Sequence, residues 1–197
     1  MKLNGIVRWR TAGLLLAMMI IVGLPYIVTL SGQRDTVRAN AWVIHSNEVK
    51  ALTYRIAYVI HDSEAASYRL LAGDATDAVR QRAARAASET AELLPALHAM
   101  VRDNPRQQAL VSALESSVNG RIALMTQAQT RLSQGDVAGA RQSLRDGDDL
   151  FEMNAQIGSI VENEDTLLAE RQLLANDQAT NYYYVVEEQS GGTFNNI

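Results

Sequence analysis

Cysteine is absent from the 197 residues, and phenylalanine (2), tryptophan (2) and proline (3) are scarce. Without cysteine there are no disulfides, no thiolate metal sites and no cysteine nucleophile. The compartment stays open, because helical domains outside the cytoplasm often need no cross-link. Few large aromatics and an apolar fraction of 47% suit Ala/Leu-rich helices better than a β-sandwich. The net charge is −4 and the basic residues are scattered, so no footprint for nucleic acid exists. A phosphate loop, a serine elbow and a catalytic dyad are also missing. The adjacent pair Asp148-Asp149 reads as a helix start rather than as acid–base machinery. The sequence therefore predicts neither an enzyme nor a cofactor.

What is present begins with a basic head and an apolar run. Residues 1–10 carry Lys2, Arg8 and Arg10, and Gly13 to Leu30 contains no charge. A bilayer core needs about 20 apolar helical residues, and residues 11–31 reach that length. They predict an uncleaved transmembrane helix of a bacterial inner-membrane, single-pass protein, with Pro25 bending it near its outer end. The basic head places residues 1–10 in the cytoplasm and residues 32–175 in the periplasm. A cleaved signal peptide is the competing reading, with Thr29-Leu-Ser31 or Ala39-Asn-Ala41 as the small-residue site. Its apolar region is usually ~7–15 residues, shorter than this run.

Beyond the anchor, helical periodicity governs. Trp42, Val49, Leu52, Ile56, Val59, Ala66 and Leu70 recur at steps of three and four, broken at His45 and Ser63. This seam predicts a helix from about Asp35 to Leu71, continuous with the anchor and capped at Gly73. Asp74 or Thr76 caps a second helix to about Val101, kinked at Pro95. Asp103-Asn104-Pro105 starts a third, about Arg106 to Ser133, with Leu110, Leu114, Val118, Ile122, Met125 and Leu132 on one side. Gly135-Asp136 precedes a short helix, Val137 to Leu144, and Gly147-Asp148 ends it. A last helix runs from about Asp149 through Leu174, with Glu164 and Arg171 at positions where apolar side chains are expected. The fold class that follows is all-α, a transmembrane helix continuous with an elongated antiparallel four-helix bundle.

At ~1.5 Å per residue the first helix is about 55 Å long and the second about 39 Å. The second and third therefore form a hairpin that stops short of the membrane. Setting Leu71 opposite Asp149 puts Arg171 beside Glu48 and Val49, and Glu164 near Ile56. The same count returns the last helix to the membrane near Glu188. Residues 176–197 are then a membrane-proximal helix end and a flexible tail, Ser190 to Ile197. Tyr182, Tyr183 and Tyr184 fall at headgroup level, where they are either interface anchors or ordinary packing residues. The thin stem of residues 35–48 and 172–186 predicts a homodimer, because one chain alone cannot bury its seam.

Two histidine pairs carry metal-like spacing, His61 with Glu64 and His45 with Glu48, each at i,i+3. Further ligands are missing, so a polar surface patch explains them better than a metal. A seam histidine is also a candidate sensor of acidity. Glu164 and Arg171 read as register-setting groups rather than ligand binders. Together His45, Glu48, Glu64, Glu164 and Arg171 are the candidate relay or register residues.

A set of short stretches carries a family resemblance. They are Trp42-Val43, His45-Ser46 and Val49, then Asp62-Ser-Glu64 leading to Leu70-Leu71-Ala-Gly73-Asp74, and Asp103-Asn-Pro105 with Gln108. Further on come Leu114, Val118, Arg121, Gly135, Ala140, Gly147 and Glu164-Asp-Thr-Leu167-Leu168-Ala-Glu-Arg171. In order and spacing they resemble the third class of CHASE-type sensor domains over residues 38 to 172. These are the extracytoplasmic helical input domains of bacterial sensor kinases, diguanylate cyclases and related receptors. Where the family commonly has an Arg-Gly-Tyr-Leu-Leu run, this chain reads Ser67-Tyr68-Arg69-Leu70-Leu71. The usual second membrane helix and output domain are not in this sequence.

The resemblance implies a sensory input module of a two-component or cyclase pathway, relaying a signal by a piston or rotation of the first and last helices. A membrane-protein partner or a continuation of the chain supplies the output, and the ligand is unnamed. Two other readings stand beside it: a single-span binding partner of another membrane protein, and a structural subunit of an envelope assembly. Sequence past Ile197 separates the first from the other two.

Overall fold

The computed structural model describes residues 3–146 and 150–191, with side chains over 13–23, 26, 37–146 and 152–174. Five helices follow one another among the described residues: α1 (Leu3–Leu71), α2 (Asp77–Met100), α3 (Pro105–Ser133), α4 (Val137–Arg145) and α5 (Leu150–Gly191). Each break has a local cause. α1 ends at Gly73, which takes φ +93°. The Asp74 amide turns back there onto the Arg69 carbonyl at 3.0 Å. Thr76 holds the N-cap position of α2 without a side-chain cap bond. Asn104 caps α3 by accepting from the Arg106 and Gln107 amides, with Pro105 in the first turn. Gly135 at φ +83° closes α3, and Asp136 starts α4 by accepting from the Gly139 amide at 2.8 Å. The expected stop at Gly147-Asp148 and start at Asp149 lie outside the described residues. α2 continues through Pro95.

The chain divides into two compact units, residues 44–170 and residues 1–43 with 171–197. Residues 44–170 form an antiparallel bundle. The distal stretch of α1 pairs with α2 through Asp62–Arg82 and Arg55–Glu89, seven positions apart on each helix in opposite senses. α2 pairs with α3 through Gln129 to the Ala83 carbonyl and His98 to Glu115. α5 meets α1 through His61–Asn154 and Lys50–Asp165, eleven positions apart on each helix.

That last spacing moves the register. The count from Leu71 and Asp149 sets Asp165 opposite Arg55, whereas it pairs with Lys50, a shift of five residues or about 7.5 Å. α4 accounts for the shift: Ala140 and Leu144 are buried in the core, so α4 fills space that the count left to α5.

Most of the apolar core is one cluster, with a smaller one at Ala66, Val79 and Ala83. Val49, Ile56, Ile60, Leu97, Val101, Val111, Leu114, Val118 and Ile160 are all buried in one cluster. On α1 the most buried stripe is Ser46, Val49, Thr53, Ile56, Ile60, Ser63 and Ser67, rotated slightly from the expected seam. Leu52 and Leu70 are only half-buried, and Trp42 is exposed. The small hydroxyl residues on the stripe are satisfied locally: Thr53 bonds the Val49 carbonyl at 2.8 Å and Ser67 the Ser63 carbonyl at 2.9 Å.

In the other unit the Arg171 guanidinium lies 5.4 Å from the centre of the Trp42 ring. The apolar side chains Leu14, Leu15, Met18, Met19 and Ile21 are exposed there. Among the described residues no helix is long and apolar enough to cross a membrane. The transmembrane helix expected over residues 11–31 is corrected accordingly. With it go the single-pass inner-membrane location, the cytoplasmic and periplasmic assignment, and the membrane-anchored form of the function, including its single-span alternative. The membrane and the membrane-protein partner lose their basis. The homodimer was argued from a membrane-proximal stem and falls with that stem. The all-α class stands without its membrane segment.

Candidate functional site: two polar layers in the bundle core

Two charged or amide-bearing layers interrupt the apolar core of residues 44–170. They stand fourteen residues apart on α3, about 21 Å along its axis. Both α3 members belong to one stripe, Gln107, Val111, Leu114, Val118, Arg121, Met125 and Ala128, all buried.

The distal layer is an ion pair. Arg121 on α3 is paired with Glu64 on α1, with side chains 4% and 9% exposed. A second Arg121 nitrogen donates to the Leu144 carbonyl of α4 at 3.0 Å. One guanidinium thus ties together three helices, and its fixed fork suits that task. Beside it, Ser63 donates to the Arg82 carbonyl at 2.9 Å, and the Arg82 guanidinium grips Asp62. The hydrogen bonds from Arg82 hold the Asp62 carboxyl below its ordinary range, against the opposing push of burial.

In the proximal layer a buried glutamate has no counter-charge among the described residues. Glu164 on α5 is 1% exposed and accepts from the Gln107 side-chain amide through Oε1. Its Oε2 is buried with no hydrogen-bond partner, and so is Oδ1 of the neighbouring Asn163. Ser46 Oγ, on α1, is a third such atom.

Of the candidate relay residues, Glu64 and Glu164 therefore sit in the core, in different layers. Arg171 stacks on Trp42 instead of taking the expected Glu48. Glu48 is exposed and His45 half-buried. His61 is exposed and reaches Asn154 at 3.4 Å, while Glu64 turns inward to Arg121, so this i,i+3 pair does not converge. No group of three His, Cys, Asp or Glu able to hold a metal occurs among the described residues. The side chains of Tyr182, Tyr183 and Tyr184 lie outside the described residues. Gln107 and Asn163 are not among the residues the sequence marks, and Arg121 enters there only through the family resemblance. Polar residues at steps of four and three on the stripe from Gln107 to Ala128 are the signal that marks the first and last of these on α3.

A polar pair inside an apolar core fixes which residues face one another, because any slip strands a buried charge. Such layers specify register, and with it they define discrete alternative packings. Comparison with known families now bears on what the bundle is: the CHASE3 domain matches residues 39–173. The chain belongs to the CHASE3 domain family. The matched span covers more than two thirds of the 197 residues. It includes both polar layers, the Lys50–Asp165 pair and the Trp42–Arg171 contact. CHASE3 is a sensory input domain without catalytic activity. No curated protein and no solved structure matches the chain.

Proposed function

We propose that this CHASE3 bundle is a sensory input module that reports its signal as a change in how α1 and α5 pack. The reading rests above all on the buried but uncompensated Glu164, set in the core of a sensory-family fold. A layer held by one neutral donor is weaker than the Glu64–Arg121 layer above it. The proximal layer is where repacking costs least, and the distal layer is the fixed end. α1 and α5 both run through the proximal level, so a rearrangement there changes their mutual register. Glu64 and Arg121 keep α1, α3 and α4 together, and Arg171 sets the α5 end through Trp42.

Absence of native cysteine makes the test direct. Spin labels at K50C and D165C report the α1–α5 register, since those residues face each other at 2.7 Å between side-chain atoms. A switch populates a second state before any ligand arrives. We expect two distances whose ratio changes when the proximal layer is made apolar by the pair Q107L and E164L. One narrow distance, the same in both proteins, would overturn the reading.

A further inference from the structure

The two polar layers pose the same electrostatic problem and solve it differently. In the distal layer a buried glutamate meets a guanidinium of the chain itself. In the proximal layer Glu164 accepts from the neutral amide of Gln107, and among the described residues no basic side chain forms an ion pair with it. Lys50, a base on the facing stretch of α1, is committed to the exposed Asp165. A carboxylate enclosed without a cation is costly unless its oxygens are met.

The atoms left open define the missing partner. Glu164 Oε2 and Asn163 Oδ1 are both acceptors, on adjacent residues that are 1% and 7% exposed. Flipping the Asn163 amide puts a donor in place of the acceptor, whereas the ionised carboxyl of Glu164 only accepts. The complement is a donor carrying positive charge. A divalent metal fits poorly, because it takes six or more oxygens and several carboxylates, and this layer offers one. An N–H cation is met by a few oxygen acceptors and needs no set of carboxylates.

We propose that the Gln107–Glu164 layer binds a small N–H-bearing cation, an ammonium ion or the head of a short alkylammonium, seated on Glu164 Oε2 and Asn163 Oδ1. The inference rests on the sensory reading and names the chemical class of the signal. Bound there, the cation does for the proximal layer what Arg121 does for the distal one. It favours the packing in which α3 and α5 are held together through Gln107 and Glu164.

The test follows thermal unfolding of the full chain at pH 7 in matched concentrations of four chlorides: ammonium, ethylammonium, sodium and tetramethylammonium. A ligand that binds the folded state raises the midpoint with concentration. Ammonium, ethylammonium or both should raise it by at least a few degrees beyond sodium, and their ranking tells a free ion from the head of a larger amine. Tetramethylammonium, which has the charge but no N–H, should match sodium. E164Q should abolish the ammonium-specific shift, and N163A, which keeps the charge, should weaken it several-fold. Equal shifts in all four salts, or an ammonium-specific shift surviving in both variants, would refute the site. Specific stabilisation with no change in the K50C–D165C distances would instead leave the site standing and remove the sensory reading.

Discussion

Asp62 on α1 and Arg82 on α2 are joined by two hydrogen bonds, one of them from Nε to Oδ2 at 3.1 Å, while the backbone carbonyl of Arg82 accepts from Ser63. The α1–α2 seam is therefore tied through both the side chain and the main chain of one residue. Because Arg82 depresses the Asp62 carboxyl, the bond contributes stability above the unfolded aspartate value of about 3.9 and loses it as pH falls through the lower folded value. D62N should be less stable than the parent at pH 7, with the gap closing as pH falls below the unfolded value of about 3.9. Urea unfolding of both proteins across pH 2 to 7 measures the gap, and a gap that widens in acid would contradict this account.

The Glu64–Arg121 pair makes a sharper case, because both side chains are nine-tenths buried or more. Removing one partner leaves a buried charge, so R121M should cost about 3–5 kcal/mol. Replacing both, E64L with R121M, should recover most of that loss, since an apolar pair can fill the space. The recovery stays partial because the Leu144 carbonyl loses its donor. A double variant as unstable as the single one would show that the unpaired Glu64 charge is not what makes R121M costly. Denaturant titration resolves the difference.

Where the chain turns was legible before the structure, and which faces meet was not. Gly73, Asn104-Pro105 and Gly135-Asp136 act through local chemistry: a positive φ, a side-chain cap, a missing amide. Those signals sit in the residues that need them. The α1–α5 register depends instead on how much room α4 takes, which no local pattern encodes. Gln107 and Arg121 were hidden because the α3 stripe was traced through Leu110 and Ile122, which are half-buried and lie one step around the helix. With Val111 in place of Leu110 and Arg121 in place of Ile122, and Leu114, Val118 and Met125 kept, the same period passes through both polar residues. The N-terminal run misled for a different reason: a charge-free stretch was equated with a membrane span on length alone.

Gly73 tests the local part of this reasoning. A Cβ there meets nothing within 4 Å, so the only obstacle to alanine is the backbone angle of +93°. G73A should therefore destabilise the bundle by about 1–2 kcal/mol without repacking the core. Asparagine, which tolerates that region better, should cost less. If both substitutions were neutral in denaturant unfolding, the turn after α1 would not hold its left-handed geometry in solution.

Arg171 over Trp42 is the contact that departs furthest from expectation, and its chemistry separates charge from shape. At 5.4 Å from the ring centre it falls within the ~6 Å of a cation–π contact, worth about 0.5–1 kcal/mol at an exposed site. R171K keeps the charge but loses the planar stacking, and R171L keeps apolar bulk but loses the charge. If the guanidinium plane matters, both variants should lose a similar amount, about 0.5–1 kcal/mol. If charge alone matters, R171K should match the parent. Trp9 is the other indole in the chain, so measuring emission in a W9F background assigns the signal to Trp42. A change in that emission on R171L marks the loss of the overlying cation, whereas an unchanged spectrum would mean that Arg171 does not rest on the ring in solution.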